Sequence, residues 1–223
     1  MKVKGLILAG GEGKRIGGKK PLKLLCGKPL IFWVLKPYLS EGLEVFISVR
    51  DKTQEEEIKE ALSEEKLPWK KLQFVTDEKW CAGKGPLCGL LSGMKACKEE
   101  TYLLVSACDQ PFLTKEIFKS LIGIAKSKRP SAVVYKAEEK IEPLPGIYSS
   151  NLKEILEEFL AQSLKPSFKA FLECIKSQNL LVFLDYSSKI ENRFYPFLNI
   201  NFLKELEAAE KCFSPLKELK KEQ

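Results

Sequence analysis

Glycines and basic side chains are concentrated directly after the first apolar run of the chain. Residues 5–25 read GLILAGGEGKRIGGKKPLKLL, with glycines at 10, 11, 13, 17 and 18 and cations at 14, 15, 19, 20 and 23. Glycine lets backbone N–H groups approach an anion closely, and clustered cations repel one another unless an anion lies among them. The pattern predicts a phosphate-binding loop in which Arg15 and Lys20 contact the phosphates.

General phosphate motifs do not fit this loop. The glycine spacing puts the third glycine of GxGxxG one position late, at Gly17. In GxxxxGK[ST], Lys20 stands where a hydroxyl should bind magnesium. A plain solvated turn after a strand is therefore the alternative interpretation.

A carboxylate follows the strongly apolar run 102–107. Asp109 would lie at the carboxyl end of a strand, where open α/β sheets bind ligands. Magnesium binds through one or two carboxylates together with substrate phosphates, so one Asp can serve. Capping of the next helix is the alternative role, although Pro111 and Thr114 offer that helix its own start.

Composition narrows the possible chemistry. The chain has no histidine, 37 Lys and Arg against 30 Asp and Glu, and seven cysteines. The missing imidazole excludes Ser-His-Asp and Cys-His catalysis. No two cysteines have CxxC spacing, which predicts a reduced cytoplasmic protein without disulfides or a zinc ribbon. The longest apolar run, residues 30–35, is too short to span a membrane.

Apolar runs alternate with amphipathic segments up to residue 135. Strands are predicted over 3–9, 43–49, 72–75, 102–107 and 132–135, and helices over 29–39, 53–64, 86–98 and 114–126. Thr53 and Thr114 are the predicted caps of two of these helices. This order predicts an α/β protein, a single three-layer α/β/α domain with a mostly parallel central sheet.

The pattern changes after about residue 138. Two prolines in IEPLPGIYSS, residues 141–150, predict at most a short, poorly paired strand there. Helices are predicted over 151–160, 167–178 and 202–212, and a strand over 180–184. We expect one domain of residues 1–214, followed by a polar tail of residues 215–223.

Three sequence blocks resemble a known enzyme family. LAGGEGKRIGGKKPL is similar to the LAGGxGxRMGGxDKxL signature of nucleotidyltransferases that make molybdenum cofactor dinucleotides, with Ile16 for Met and Lys19 for the acidic residue. GPLCGLLSGM and VSACDQPFL resemble the GPLxGLxxGL and CDxPF blocks of the molybdenum cofactor guanylyltransferases. EPLPGIYSS, PSFKAFL and FLNINFLKEL follow in the family's order, so the resemblance covers nearly the whole chain.

The resemblance implies a nucleotide-diphospho-sugar transferase (Rossmann-like) fold and transfer of GMP from GTP to the phosphate of molybdopterin, with Mg²⁺ or Mn²⁺. It implies catalytic roles for Arg15, Lys20 and Asp109, with Asp109 as the metal ligand. The implied nucleotide-binding residues are Leu8, Ala9, Gly10, Gly11, Gly13, Lys20, Ser48, Asp77 and Asp109. The implied pterin-binding residues are Lys169, Asn199 and Asn201.

Several of these assignments have alternatives. Asp77 is also compatible with an ordinary turn residue, Asn201 with a cap of the helix at 202, and Lys169 with a solvated lysine. Ser48 stands where the family has an Asn that contacts guanine. Ser48 and Lys19 therefore keep open a cytidylyltransferase for the same pterin, or a nucleotidyltransferase for another phosphorylated metabolite.

A non-catalytic basic protein that binds a cofactor or nucleic acid is the hypothesis of a different class. Aromatic residues are not interleaved with the basic loop, so neither a nucleic-acid nor a membrane partner is expected. The expected partners are GTP and molybdopterin, with transient docking to cofactor-insertion proteins or molybdoenzymes.

Overall fold

A computed structural model describes residues 1–186 and 195–218. The strands in this part of the chain are β1 (Lys2–Leu8), β2 (Leu24–Leu25), β3 (Lys28–Pro29), β4 (Val45–Val49), β5 (Leu72–Thr76), β6 (Thr101–Ala107), β7 (Ala132–Ala137), β8 (Lys140–Ser149) and β9 (Leu181–Asp185). The helices are α1 (Leu30–Ser40), α2 (Lys52–Ala61), α3 (Pro86–Lys95), α4 (Lys115–Lys128), α5 (Lys153–Gln162), α6 (Phe168–Ser177) and α7 (Leu203–Glu218).

The main sheet has the strand order β5-β4-β1-β6-β8-β7-β9. All neighbouring pairs are parallel except those that β8 makes with β6 and β7. β2 and β3 form a separate antiparallel pair. The predicted α/β class and mostly parallel sheet are confirmed.

Helices cover both faces of the sheet because successive strand side chains point to opposite faces. Ile7 of β1 joins a core with α1, α2 and α4, whereas Leu6 and Leu8 join a core with α3, α5 and α6. A third cluster packs α7, through Ala209, against Ile16 of the glycine-rich loop. The predicted three-layer arrangement is therefore present.

The strand at residues 140–149 is longer and more central than the prolines predicted. β8 pairs with β6 through Gly146–Ser149 and with β7 on the other side. The ladder with β7 shifts register between Val134 and Tyr135, and residues 143–145 have no partner in either ladder. Both prolines lie in this unpaired stretch, where a missing N–H breaks no ladder hydrogen bond.

Two helix ends also differ from expectation. Asp51, not Thr53, caps α2, because its carboxylate accepts a hydrogen bond from Gln54 N–H. α7 continues to Glu218, into the segment predicted as a tail, and residues 219–223 lie outside the described part.

The expectation of a disulfide-free protein is wrong. Cys81 and Cys88 form a disulfide across Cα atoms 5.7 Å apart, and both residues are fully buried. The bond joins the segment after β5 to the first turn of α3. Among the described helices, none combines the length and apolar character needed to cross a membrane.

Candidate nucleotide-binding site

The carboxyl ends of four parallel strands lie side by side and carry the predicted site residues. Along the edge of the sheet stand Asp77 after β5, Ser48 near the end of β4, Gly10 after β1 and Asp109 after β6. The segments are tied together where the strands end: Ala9 N–H donates to Ser48 O (2.9 Å), and Cys108 N–H donates to Leu8 O (3.1 Å). Leu8 and Ala9 thus form the centre of this edge, which is where open α/β sheets bind ligands.

The glycine-rich loop folds back onto Lys20. Gly13 has φ 65°, a left-handed conformation that glycine adopts without strain. A Cβ atom at Gly13 would lie 2.8 Å from Lys20 Cβ, so only glycine allows this approach. The carbonyl of Gly13 accepts hydrogen bonds from Ile16 and Gly18 N–H, which closes the loop. Gly11 is exposed, with open space where a side chain would begin.

Lys20 joins three segments that are far apart in sequence. Its Nζ donates to Asp109 Oδ2 at 2.7 Å and to Asn201 Oδ1 at 2.9 Å. The Lys20 and Asp109 side chains are only 18% and 9% exposed, so solvent screens their ion pair weakly. Ile200 N–H also donates to Asp109 O at 2.9 Å, which fixes the Asn201 segment beside the turn that carries Asp109.

Asn201 does not cap α7 with its side chain. Its amide oxygen accepts from Lys20, while the carboxylate of Glu205 accepts from the N–H groups of Asn201 and Phe202 at 2.6 and 3.1 Å. Because Glu205 caps the helix, the side chain of Asn201 is available to contact Lys20. Lys20 therefore contacts two other predicted site residues, Asp109 and Asn201, and the roles of all three remain predictions.

Ser48 and Asp77 form a second cluster on the other side of Gly10. Ser48 Oγ donates to Asp77 Oδ1 at 2.7 Å, and a Cβ atom at Gly10 would lie 2.9 Å from Asp77 Oδ2. Burial raises the pKa of the Asp77 carboxyl above its usual range, and the hydrogen bond from Ser48 opposes that shift. A partly buried carboxylate beside the glycine loop can accept N–H donors from a ligand.

Within the described part of the chain, three predicted residues make no hydrogen bond or ion pair with either cluster. Arg15 is exposed in the short turn Lys14–Ile16, and Lys169 is exposed on α6. Asn199 is half-buried in the segment before Asn201. Their assigned roles stay predictions.

Sequence reasoning missed two buried glutamines that hold the strand ends. Gln54 accepts from Arg50 N–H and donates to Ala9 O, and Gln110 accepts from Ala107 N–H and donates to Leu144 O. Gln110 lies inside the CDQPFL block, directly after Asp109. That position is the one signal in the sequence that pointed to it.

The oxygen atoms around the Lys20 ammonium are of the kind that magnesium binds. Asp109 and Asn201 offer hard oxygen atoms, and the ammonium of Lys20 shows that a cation fits between them. The described residues contain no group of three or more His, Cys, Asp or Glu suited to a metal. A magnesium ion here would rely on one carboxylate plus substrate phosphates, as Mg²⁺ commonly does.

The parallel sheet, the glycine loop after its first strand and the carboxylate after β6 define the class of nucleotide-binding α/β proteins. Residues 5–177 match the model of the MobA-like NTP transferase domain, and the chain belongs to this family.

Known proteins and solved structures resemble the chain over nearly its whole length. The chain is 32% identical over 216 residues to a probable molybdenum cofactor guanylyltransferase of Methanocaldococcus jannaschii, covering 92% of this chain and 96% of that protein. Molybdopterin-guanine dinucleotide biosynthesis protein A of Archaeoglobus fulgidus superposes with a TM-score of 0.74 at 25% identity, over 96% of this chain and 100% of the other. A 4-diphosphocytidyl-2C-methyl-D-erythritol synthase of Anaerococcus prevotii shares the fold, with a TM-score of 0.69 at 15% identity over 96% of both chains.

Proposed function

We propose that the protein is a Mg²⁺-dependent guanylyltransferase that transfers GMP from GTP to the phosphate of molybdopterin. The observation that carries the proposal is the Lys20–Asp109–Asn201 cluster beside the glycine loop, within a chain of the MobA-like family. It unites a phosphate ligand, a metal ligand and a segment predicted to face the acceptor.

The chemistry needs little from the side chains beyond position and charge. A phosphate oxygen of the acceptor forms a bond to the α-phosphorus of GTP, and the bond to the β-phosphate breaks, so pyrophosphate leaves. Since the attacking oxygen is already anionic, no general base is required, in keeping with a chain that has no histidine. Lys20, Arg15 and the backbone N–H groups of residues 10–13 hold the triphosphate. A bound Mg²⁺ would neutralise charge on the phosphates.

Guanine is the base that the Ser48–Asp77 cluster fits best. Guanine presents two N–H donors on one edge, and a carboxylate with two acceptor oxygens can bind both. Cytosine presents an exocyclic amino donor beside a ring acceptor, which a carboxylate repels. The hydrogen bond from Ser48 uses one lone pair of Asp77 Oδ1, so both carboxylate oxygens of Asp77 can still accept hydrogen bonds.

We assign the reaction to the cytoplasm, with transient docking to cofactor-insertion proteins or molybdoenzymes. The Cys81–Cys88 disulfide is compatible with this location because hyperthermophile proteins retain intracellular disulfides. A composition rich in Lys and Glu is typical of hyperthermophile proteins.

The first test is binding and turnover by the Asp109→Asn variant. We expect calorimetry of the wild-type protein to show selective GTP binding over CTP and ATP that strengthens with Mg²⁺. In the variant, the Mg²⁺-dependent gain in GTP affinity is lost, and pyrophosphate release with molybdopterin falls by about 100-fold or more. Asn keeps an oxygen for Lys20 but removes the charge that attracts the metal.

Asp185→Asn is the matched control. It makes the same chemical change at an exposed residue at the end of β9 and leaves binding and turnover unchanged. Selectivity for CTP would assign the cytidylyl reaction instead. Binding of no nucleoside triphosphate would overturn the proposal in favour of a non-catalytic binding protein.

A further inference from the structure

Gln110 makes two hydrogen bonds with backbone groups of different strands. The residue is 1% exposed. Its Oε1 accepts from Ala107 N–H at 3.0 Å, and its Nε2 donates to Leu144 O at 2.8 Å. Leu144 lies in the stretch of β8 that has no ladder partner, so this contact satisfies a carbonyl that the sheet leaves unpaired.

These bonds enclose the turn that carries Asp109. Gln110 N–H also donates to Ala107 O at 3.3 Å, so the backbone and side chain of one residue both close the turn over residues 107–110. On the other sides of the turn, Cys108 N–H donates to Leu8 O and Ile200 N–H donates to Asp109 O. The direction of the Asp109 carboxylate thus depends on a turn fixed by β1, β8 and the segment before α7.

We infer that Gln110 is a positioning residue for Asp109: by tying the turn to β8 it sets the carboxylate for the metal–nucleotide complex. The inference rests on the proposed function. Gln110 is buried behind the turn and acts through Asp109, without touching the nucleotide. Groups that orient metal ligands in this way commonly change metal affinity or activity by about 10- to 100-fold when replaced.

The second buried glutamine provides a matched control. Gln54, at 6% exposure, also accepts from one backbone N–H and donates to one backbone carbonyl, but it ties Ala9 to the turn after β4. Gln54→Met and Gln110→Met each remove two such bonds with little change in shape. A merely structural role for both predicts similar losses of stability and the same pattern of binding defects.

The experiment titrates Mn²⁺ into each protein saturated with GTP, followed by electron paramagnetic resonance, and measures metal-free GTP affinity and Tm alongside. We expect Gln110→Met to weaken Mn²⁺ binding about tenfold or more while metal-free GTP affinity stays within about twofold. We expect Gln54→Met to weaken metal-free GTP affinity instead. In assays with molybdopterin, Gln110→Met lowers kcat with little change in KM for GTP.

Unchanged Mn²⁺ affinity in Gln110→Met, with Tm lowered as in Gln54→Met, would assign Gln110 a structural role and overturn the inference. A wild-type protein that binds GTP without any effect of metal would overturn the proposed Mg²⁺ dependence, and the inference with it. Should the Met variant fail to fold, Gln110→Asn gives the same decision. Its shorter amide reaches at most one of the two partners, so an intermediate loss of Mn²⁺ affinity is expected, and wild-type affinity would contradict the inference.

Discussion

At the scale of single residues, the burial of Asp77 has a cost in stability, and the proposed function gives the same carboxylate a role in binding guanine. Burial disfavours its charged form, while the hydrogen bond from Ser48 recovers part of that cost. A folded-state pKa above the unfolded value means that the folded protein binds this proton more tightly. The stability that Asp77 contributes is therefore present below its unfolded pKa and is lost as the pH rises through the folded pKa.

We predict that Asp77→Asn stabilises the protein and weakens GTP binding. At pH 7 the variant lacks the buried charge yet keeps an oxygen for Ser48, so its Tm is higher. The difference in Tm shrinks as the pH falls and Asp77 becomes protonated. GTP affinity drops about tenfold or more because one acceptor for guanine becomes a donor. Thermal unfolding between pH 4 and 8 and calorimetry measure both effects; a lower Tm at pH 7 would contradict the argument.

Residue types, their place after apolar runs and the family resemblance pointed to Lys20, Asp109 and Asn201, whose side chains the structure brings together. These signals were not enough for Gln54 and Gln110, because a buried amide takes its role from the backbone groups around it. Those groups belong to other strands, and only the fold brings them within hydrogen-bond distance.

At the scale of elements, α3 lies against the side of the candidate site that carries Ser48 and Asp77. A Cβ atom at Gly89 would stand 2.4 Å from Ser48 Oγ and 3.0 Å from Leu8 Cδ2. Helix α3 packs this closely because Gly89 has no side chain. The GPLCGLLSGM block therefore sets the distance between a helix and the strand that carries Ser48.

We predict that Gly89→Ala lowers the free energy of unfolding by about 1–3 kcal/mol, as overpacking does. The new methyl group displaces Ser48 Oγ from Asp77, so GTP affinity falls as well. Gly123→Ala is the control: Gly123 lies in α4 with nothing within 4 Å of an added Cβ, and helix propensity predicts a gain of about 0.5–1 kcal/mol there. Chemical denaturation measures the free energy of unfolding of both variants. Equal changes at Gly89 and Gly123 would refute the packing argument.

Most elements were predictable from apolar periodicity, but the placement of β8 was not. Proline counts against a central strand only where the ladder needs its N–H, and the pairing of each residue is set by neighbouring strands. The sequence of residues 140–149 contains no information on which of its residues lie opposite the register shift in β7.

At the scale of the whole molecule, distant parts of the chain close one site. The contacts of Lys20 bridge separations of 89 and 181 residues. The disulfide is the opposite case, with a sequence separation of only 7 between its cysteines. Spacing alone did not reveal it, because pairing depends on a Cα separation that the turn after β5 creates.

We predict that alkylation of the unreduced, denatured protein leaves Cys81 and Cys88 unlabelled, because their sulfur atoms are joined in the bond. Replacing Cys81 and Cys88 with Ser lowers the free energy of unfolding by about 2 kcal/mol, the entropy expected for so short a loop. Cys97→Ser is the control, because it replaces a half-buried cysteine outside the bond. In this variant Cys81 and Cys88 stay unlabelled before reduction. Labelling of Cys81 and Cys88 in the unreduced wild-type protein would show that the bond is absent.

The position of β8 between β6 and β7 also has a consequence for protein synthesis. When the nascent chain has emerged only to about residue 130, β5, β4, β1 and β6 are available, but β6 still has one side without a partner. That side can pair only after the later hairpin of β7 and β8 leaves the ribosome. An unpaired apolar strand invites pairing with other chains. A pause that leaves the chain emerged only to about residue 130 would therefore favour aggregation, and the emergence of β7 and β8 would cover this open side of β6.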